Sequence, residues 1–129
     1  MANAVSRGPR QIWLALRYSF QGLGAALRHE ASFRLEAQLA VVLIPLAIYL
    51  GAGAVERVLL AGSVLLVMIA ELLNGSVEAV VDKTTPEFHE LAGRAKDMGS
   101  AAVFLCMMNV LLTWGLILGP SLLQRVWPN

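Results

Sequence analysis

The chain has 129 residues, of which 57% are hydrophobic and only 7% aromatic, with a net charge of +1. A surplus of small aliphatic side chains gathered in long runs excludes an ordinary soluble domain, and without dense basic clusters interleaved with aromatics there is no support for nucleic-acid binding. Cys106 has no partner thiol, and His29 and His89 lack further ligands at metal spacing, so a disulfide framework and a zinc site fall away.

The first element in chain order is a helix over about 10–30, "RQIWLALRYSFQGLGAALRH" and the residue or two beyond it. Ile12, Leu16, Phe20, Leu23 and Leu27 recur at steps of three or four, while Arg10, Arg17, Gln21 and Arg28 lie elsewhere. This is the pattern of an amphipathic helix lying on a membrane surface. An ordinary soluble helix is the competing reading, but the chain offers no soluble core for it to pack against. The "GLGAA" within it is G-x-G without the rest of a nucleotide loop, and small residues for close packing explain it equally well. The first long apolar run begins only after this polar stretch and lacks the short core and small-residue cleavage site of a leader, so no segment is expected to be removed.

Three membrane helices follow, at about 35–52, 55–82 and 98–119, because crossing a bilayer takes about 20 mostly apolar residues and the chain holds three such runs. Gly51 and Gly53 break the first from the second, leaving a short turn and making the two antiparallel neighbours. "KTTPEFHE" ends the second: Thr84 with Glu87 three residues on has the form of a capping box, and proline suits a first helical turn. The third helix is therefore expected to start near Thr85 and to carry "FHELAGRAKDMGSAAV" into the membrane. The fold class is an all-α membrane protein, three transmembrane helices plus an N-terminal amphipathic surface helix, in one domain over 1–129.

Basic residues set the expected topology. Arg7, Arg10, Arg17, Arg28 and Arg34 precede the first membrane helix, and Lys83, Arg94 and Lys96 lie between the second and third; Arg57 and Arg125 remain for the other side. The positive-inside rule puts the N-terminus and the 82–98 segment in the cytoplasm. Trp114 and Trp127 suit the outer interface.

The second membrane helix carries the chemistry. Counting from Glu71, the polar residues Asn74, Glu78 and Asp82 fall at i+3, i+7 and i+11, one stripe of an α-helix. A charge near mid-bilayer costs about 2.5 to 3.5 kcal/mol on insertion scales, so this stripe requires a reason. Three are open: a polar network gluing helices together, a proton or cation path, or an active site at the membrane edge in which one carboxylate is the base and others hold a metal. Arg94, Lys96 and Asp97 come level with Glu78 and Asp82 if the helices are antiparallel, which suits phosphate oxygens beside a divalent cation; plain charge pairing gives the same pattern. Neither the P-loop motif nor the signatures of soluble protein kinases are present.

"ELLNGSVEAVVD", followed by "HELAGRAKDMGSAAV" and preceded by "YSFQGLGAALRHEASFRLE", resembles the prokaryotic diacylglycerol kinases, small integral-membrane enzymes, over about Gln11 to Leu118. The family pattern is E-x-x-N-[ST]-[SA]-x-E-x-x-V-D, and Gly75 departs from it. The resemblance implies transfer of the ATP γ-phosphate to diacylglycerol, giving phosphatidic acid, by a homotrimer in the bacterial inner membrane with a cytoplasmic active site. It makes Glu71 the catalytic base, supported by Asn74, and makes Glu30 and Glu78 the ligands of Mg²⁺. It assigns Tyr18, Glu30, Glu78, Glu87, Phe88, His89, Lys96 and Asp97 to ATP. To the lipid substrate it assigns Gln11, Ser19, Phe20, Ser32, Arg34, Glu36, Glu71 and Ser100. Gln11 stands where relatives often carry Arg, and Arg10 is its neighbour. Within the family some members phosphorylate undecaprenol; "EASFRLE" and the 82–98 segment match the diacylglycerol type. A non-enzymatic oligomer conducting protons or cations is the alternative from another class.

Overall fold

A computed structural model describes residues 8–128, so Arg7, counted above for topology, lies outside the described residues. Four helices follow one another: α1 (Pro9–His29), α2 (Ala31–Leu50), α3 (Ala54–Thr84) and α4 (Glu90–Val126). There is no strand among the described residues. Pro9 opens α1, where its missing N–H is a donor the first turn would leave unbonded in any case. Ile12, Leu16 and Phe20 on the apolar stripe of α1 remain exposed, so little of that stripe is covered by the rest of the chain.

Glu30 alone joins α1 to α2. It has extended backbone (φ −103°, ψ 110°), ending the first helix and starting the second. Arg34, one turn into α2, reaches back so that its Nη1 donates to the carbonyls of Leu27 (3.2 Å) and Arg28 (3.0 Å). Those carbonyls have no intrahelical donor at the end of α1, and a basic side chain is a suitable partner.

α2, α3 and α4 are each long and apolar enough to cross a membrane. The turn between α2 and α3 is tight, as the two glycines imply. A Cβ on Gly51 would lie 2.6 Å from Arg57 Cγ and 2.9 Å from the Arg57 backbone nitrogen, so no side chain fits there. Arg57 Nε donates to the Gly51 carbonyl at 3.1 Å, and the Ala52 N–H donates to Glu56 Oε2 at 2.8 Å. Near this turn Ala47, Leu60 and Leu118 form a small buried cluster with Trp114 against it. The Trp114 indole N–H donates to both the Leu60 carbonyl and Ser63 Oγ, at 3.2 Å each. Trp114 thus faces α3, while Trp127, expected beside it at the interface, caps the far end of α4 and is exposed.

The structure moves several boundaries. α2 spans Ala31–Leu50 where 35–52 was expected, α3 Ala54–Thr84 where 55–82 was expected, and α4 runs from Glu90 to Val126, well past 98–119 at both ends. The capping box at Thr84 does not form. Thr84 closes α3, its hydroxyl donating back to the Val80 carbonyl at 2.7 Å, and Pro86 lies in the link between helices. α4 begins five residues later than Thr85, capped by His89, whose Nδ1 accepts from the Leu91 N–H at 3.2 Å. Pro45 and Pro120 sit inside α2 and α4. They remove the donors that would reach the Val41 and Leu116 carbonyls, yet both helices continue, a tolerance familiar from membrane helices.

Candidate active site

Helical periodicity does on α3 what the spacing predicts. Glu71 and Asn74 are buried, 8% and 9% exposed, and Glu78 is half-buried one turn further on. All three line one cleft of about 250 Å³, which also takes in Glu30 at the α1–α2 joint, Ser32 on α2, and Ser100 and Val103 on α4. The Ser32 hydroxyl faces the Glu71 carboxylate. Asn74 Nδ2 donates to Glu78 Oε1 at 3.0 Å, while its own Oδ1 is buried with no partner. Asp82, the last member of the stripe, leaves the cleft and pairs with Lys96 at 2.9 Å, tying the end of α3 to the first turns of α4. Lys96 therefore does come level with the α3 carboxylates, as antiparallel packing requires.

A second hollow of about 670 Å³ runs under α1 and shares Glu30 and Glu71 with the first; Ser19 on α1 forms part of its wall. Here Gly75 meets Glu30. A Cβ at position 75 would stand 3.4 Å from Glu30 Cδ and 3.5 Å from Oε1, so the family's hydroxyl-bearing residue would touch this carboxylate. The neighbouring Ser76 hydroxyl is turned to its own helix, donating to the Leu72 carbonyl at 2.8 Å.

Deeper along the helices, Glu36 is 8% exposed and neither carboxylate oxygen has a partner. It stands at the lip of an apolar cavity of about 340 Å³ walled by Leu39, Leu43, Val64, Val67, Met107 and Leu111. A buried polar group without a partner is expensive. Such a group facing an apolar cavity is suited to a ligand with a polar head and a hydrocarbon tail.

Other candidate residues lie off the cleft within one chain. Tyr18 and Phe20 on α1 are exposed and Gln11 is half-buried near its start. Glu87, Phe88 and His89 occupy the α3–α4 link, Phe88 being 96% exposed and His89 capping α4. Asp97 is exposed on α4, and Arg34 is engaged with the carbonyls of α1. Among the described residues no three His, Cys, Asp or Glu side chains close on a single cation-sized point. Glu30 and Glu78 nevertheless share the cleft with Glu71. That donor set fits Mg²⁺, which is usually held by one or two carboxylates plus substrate phosphates.

Gly99 and Val103 were absent from the sequence-based candidates. Val103 is an ordinary apolar wall. Gly99 packs against Asn74 across the two helices, a contact between residues far apart in sequence that only the tertiary packing reveals.

Residues 17–118 match the family described as prokaryotic diacylglycerol kinase. The chain is 53% identical over 102 residues to a diacylglycerol kinase of Haemophilus influenzae, covering 79% of this chain and 86% of that one. It is 48% identical over 118 residues to that of Escherichia coli K12, covering 92% and 96%. To that of Pseudomonas aeruginosa it is 46% identical over 111 residues, covering 86% and 90%. With a match of this extent and a polar cleft set into three membrane-length helices, the chain belongs to the prokaryotic diacylglycerol kinase family.

Proposed function

We infer that the protein is a lipid kinase that transfers the γ-phosphate of ATP to the free hydroxyl of diacylglycerol, giving phosphatidic acid and ADP. The observation that carries this reading is the convergence of Glu30, Glu71, Asn74, Glu78 and Ser100 in one cleft on otherwise apolar helices. A conducting oligomer is not favoured, since the family is a kinase family and Lys96 stands beside the carboxylates.

Glu71 takes the proton from the lipid hydroxyl as that oxygen bonds to the γ-phosphorus and the bond to the ADP oxygen breaks. Ser32 and Asn74 keep the carboxylates in register, Ser32 facing Glu71 and Asn74 holding Glu78. Glu30 and Glu78 would hold Mg²⁺, which when bound would supply charge neutralisation on the phosphate oxygens. Phosphoryl transfer then needs little beyond position and charge. The apolar cavity beyond Glu36 accommodates the start of the lipid chains, with the head group against Glu36 and Ser100.

Lys96 reaches the ATP phosphates from its place beside Asp82. Tyr18, Glu87, Phe88, His89 and Asp97, which lie off the cleft of their own chain, complete the nucleotide site in a homotrimer. The orientation is N-terminus and cleft to the cytoplasm, supported by the basic residues of α1 and of the 82–98 segment. The uncovered apolar stripe of α1 lies in the membrane surface.

The test supplies purified protein in mixed micelles with radiolabelled ATP and Mg²⁺ and offers diacylglycerol or undecaprenol. Label is expected in diacylglycerol, and Glu71→Gln should abolish it while still inserting and assembling. Glu30→Gln and Glu78→Gln should each shift the Mg²⁺ dependence at saturating lipid. Label in neither lipid refutes the kinase reading; unchanged Mg²⁺ dependence in both variants removes the shared-metal assignment.

A further inference from the structure

α3 and α4 press together where Asn74 meets Gly99. A Cβ built on Gly99 would overlap Asn74 Oδ1 and stand 3.2 Å from its Cγ and 3.6 Å from its Cα. No residue in the described chain has positive φ, so glycine is not required there by the backbone; it is required by space. Small residues let membrane helices approach in this way. The consequence at this position is specific. Asn74 lies in the polar cleft, its Oδ1 is buried and unpartnered against α4, and its Nδ2 is bonded to Glu78 Oε1. The amide therefore has one seat, between the bare backbone of Gly99 and the carboxylate of Glu78.

We propose that Gly99 is a positioning residue for this site: its lack of a side chain seats the Asn74 amide, which in turn aims the Glu78 carboxylate into the cleft. The proposal rests on the kinase reading for the role of Glu78, but the contact itself does not. A methyl group at 99 would collide with both the amide oxygen and its carbon. Rotating the amide away breaks the bond to Glu78, and moving α4 away opens the cleft between Glu78 and Ser100. Either response releases Glu78 while leaving Glu71 and Ser32, one to two turns deeper, in place.

Gly99→Ala, Asn74→Ala and the double variant test it, with two readouts that need no turnover. The first is Mn²⁺ affinity by electron paramagnetic resonance, in micelles with a non-hydrolysable ATP analogue; the second is Tm in the same micelles. Gly99→Ala should weaken Mn²⁺ binding about tenfold and lower Tm. In the Asn74→Ala background, where nothing remains to collide with, the same change should alter both by little. Unchanged Mn²⁺ affinity in Gly99→Ala overturns the proposal, and so do losses that add in the double variant. Should Gly99→Ala fail to assemble, the double variant must assemble, and its failure also overturns the proposal. If the unaltered protein binds no Mn²⁺, the shared-metal assignment of Glu78 fails instead; the Tm cycle then decides the contact alone, additivity counting against it.

Discussion

Replacing Trp114 with phenylalanine removes the indole N–H from the α3–α4 seam, together with part of the ring packed against Ala47, Leu60 and Leu118. A double-mutant cycle separates that packing loss from the hydrogen bond. That N–H is shared between the Leu60 carbonyl and Ser63 Oγ, 3.2 Å from each, and Ser63 also donates to the Leu60 carbonyl at 2.7 Å. A single shared proton counts as one hydrogen bond. Its net worth is about 1 kcal/mol by general measure, and interhelical bonds in membranes average about 0.6 and reach about 1.7. The Leu60 carbonyl keeps Ser63 after the change, whereas Ser63, 4% exposed, loses a partner. The Trp114–Ser63 coupling should therefore be about 0.6 to 1 kcal/mol. The measurement is a double-mutant cycle of Trp114→Phe and Ser63→Ala, followed by reversible unfolding in mixed micelles. Turnover at equal folded fraction should stay unchanged, because Leu60 lies 11 positions before Glu71 in the same helix, about 17 Å along its axis. A coupling below about 0.3 kcal/mol, which is plain additivity, or a fall in turnover, would refute the argument.

Reversing the Lys96–Asp82 pair separates two roles of Lys96: the exchanged pair Asp82→Lys/Lys96→Asp should recover the melting temperature lost by either single change, yet its KM for ATP should stay high. Recovery of KM as well would reduce Lys96 to a structural ion-pair partner. Gly75→Ala should raise stability by about 0.5 to 1 kcal/mol, the usual gain over glycine inside a helix, since its methyl group meets Glu30 at ordinary contact distance; a steep loss of Mg²⁺-dependent activity would mean that Glu30 needs the open space. For topology, Thr84→Cys in a Cys106→Ala background should resist an impermeant thiol reagent on intact cells and react after permeabilisation. Labelling from outside would invert the assigned orientation.

The stripe Glu71, Asn74 and Glu78 was legible because helical periodicity is a local property, and the spacing alone puts these residues on one face. Gly51 and Gly53 were legible for a similar reason: the turn lies within a few residues of them. Thr84 misled because a threonine hydroxyl serves two competing bonds, forward to a new helix or back to the carbonyl four residues earlier, and the second prevails here. Trp114 was read as an interface anchor because α4 is apolar on nearly every side, which leaves its rotation about its own axis unreadable. The same blindness hid Gly99, whose partner is 25 positions away. Arg34 was assigned through a family likeness, and that likeness says nothing of the carbonyls it caps.

A joint one residue long between α1 and α2 has a mechanical consequence, because the residue that forms it is Glu30. The corner is braced from α2 by Arg34 and carries its carboxylate directly into the cleft. A change in the pitch of α1 on the bilayer is therefore a displacement of one carboxylate of the cleft, with no slack chain between to absorb it. Lipid charge and packing around α1 would act on that carboxylate like a hand on a short lever. An extra residue inserted after Glu30 would turn the helices about 100° relative to each other, disconnecting that lever while leaving every side chain of the site in the sequence.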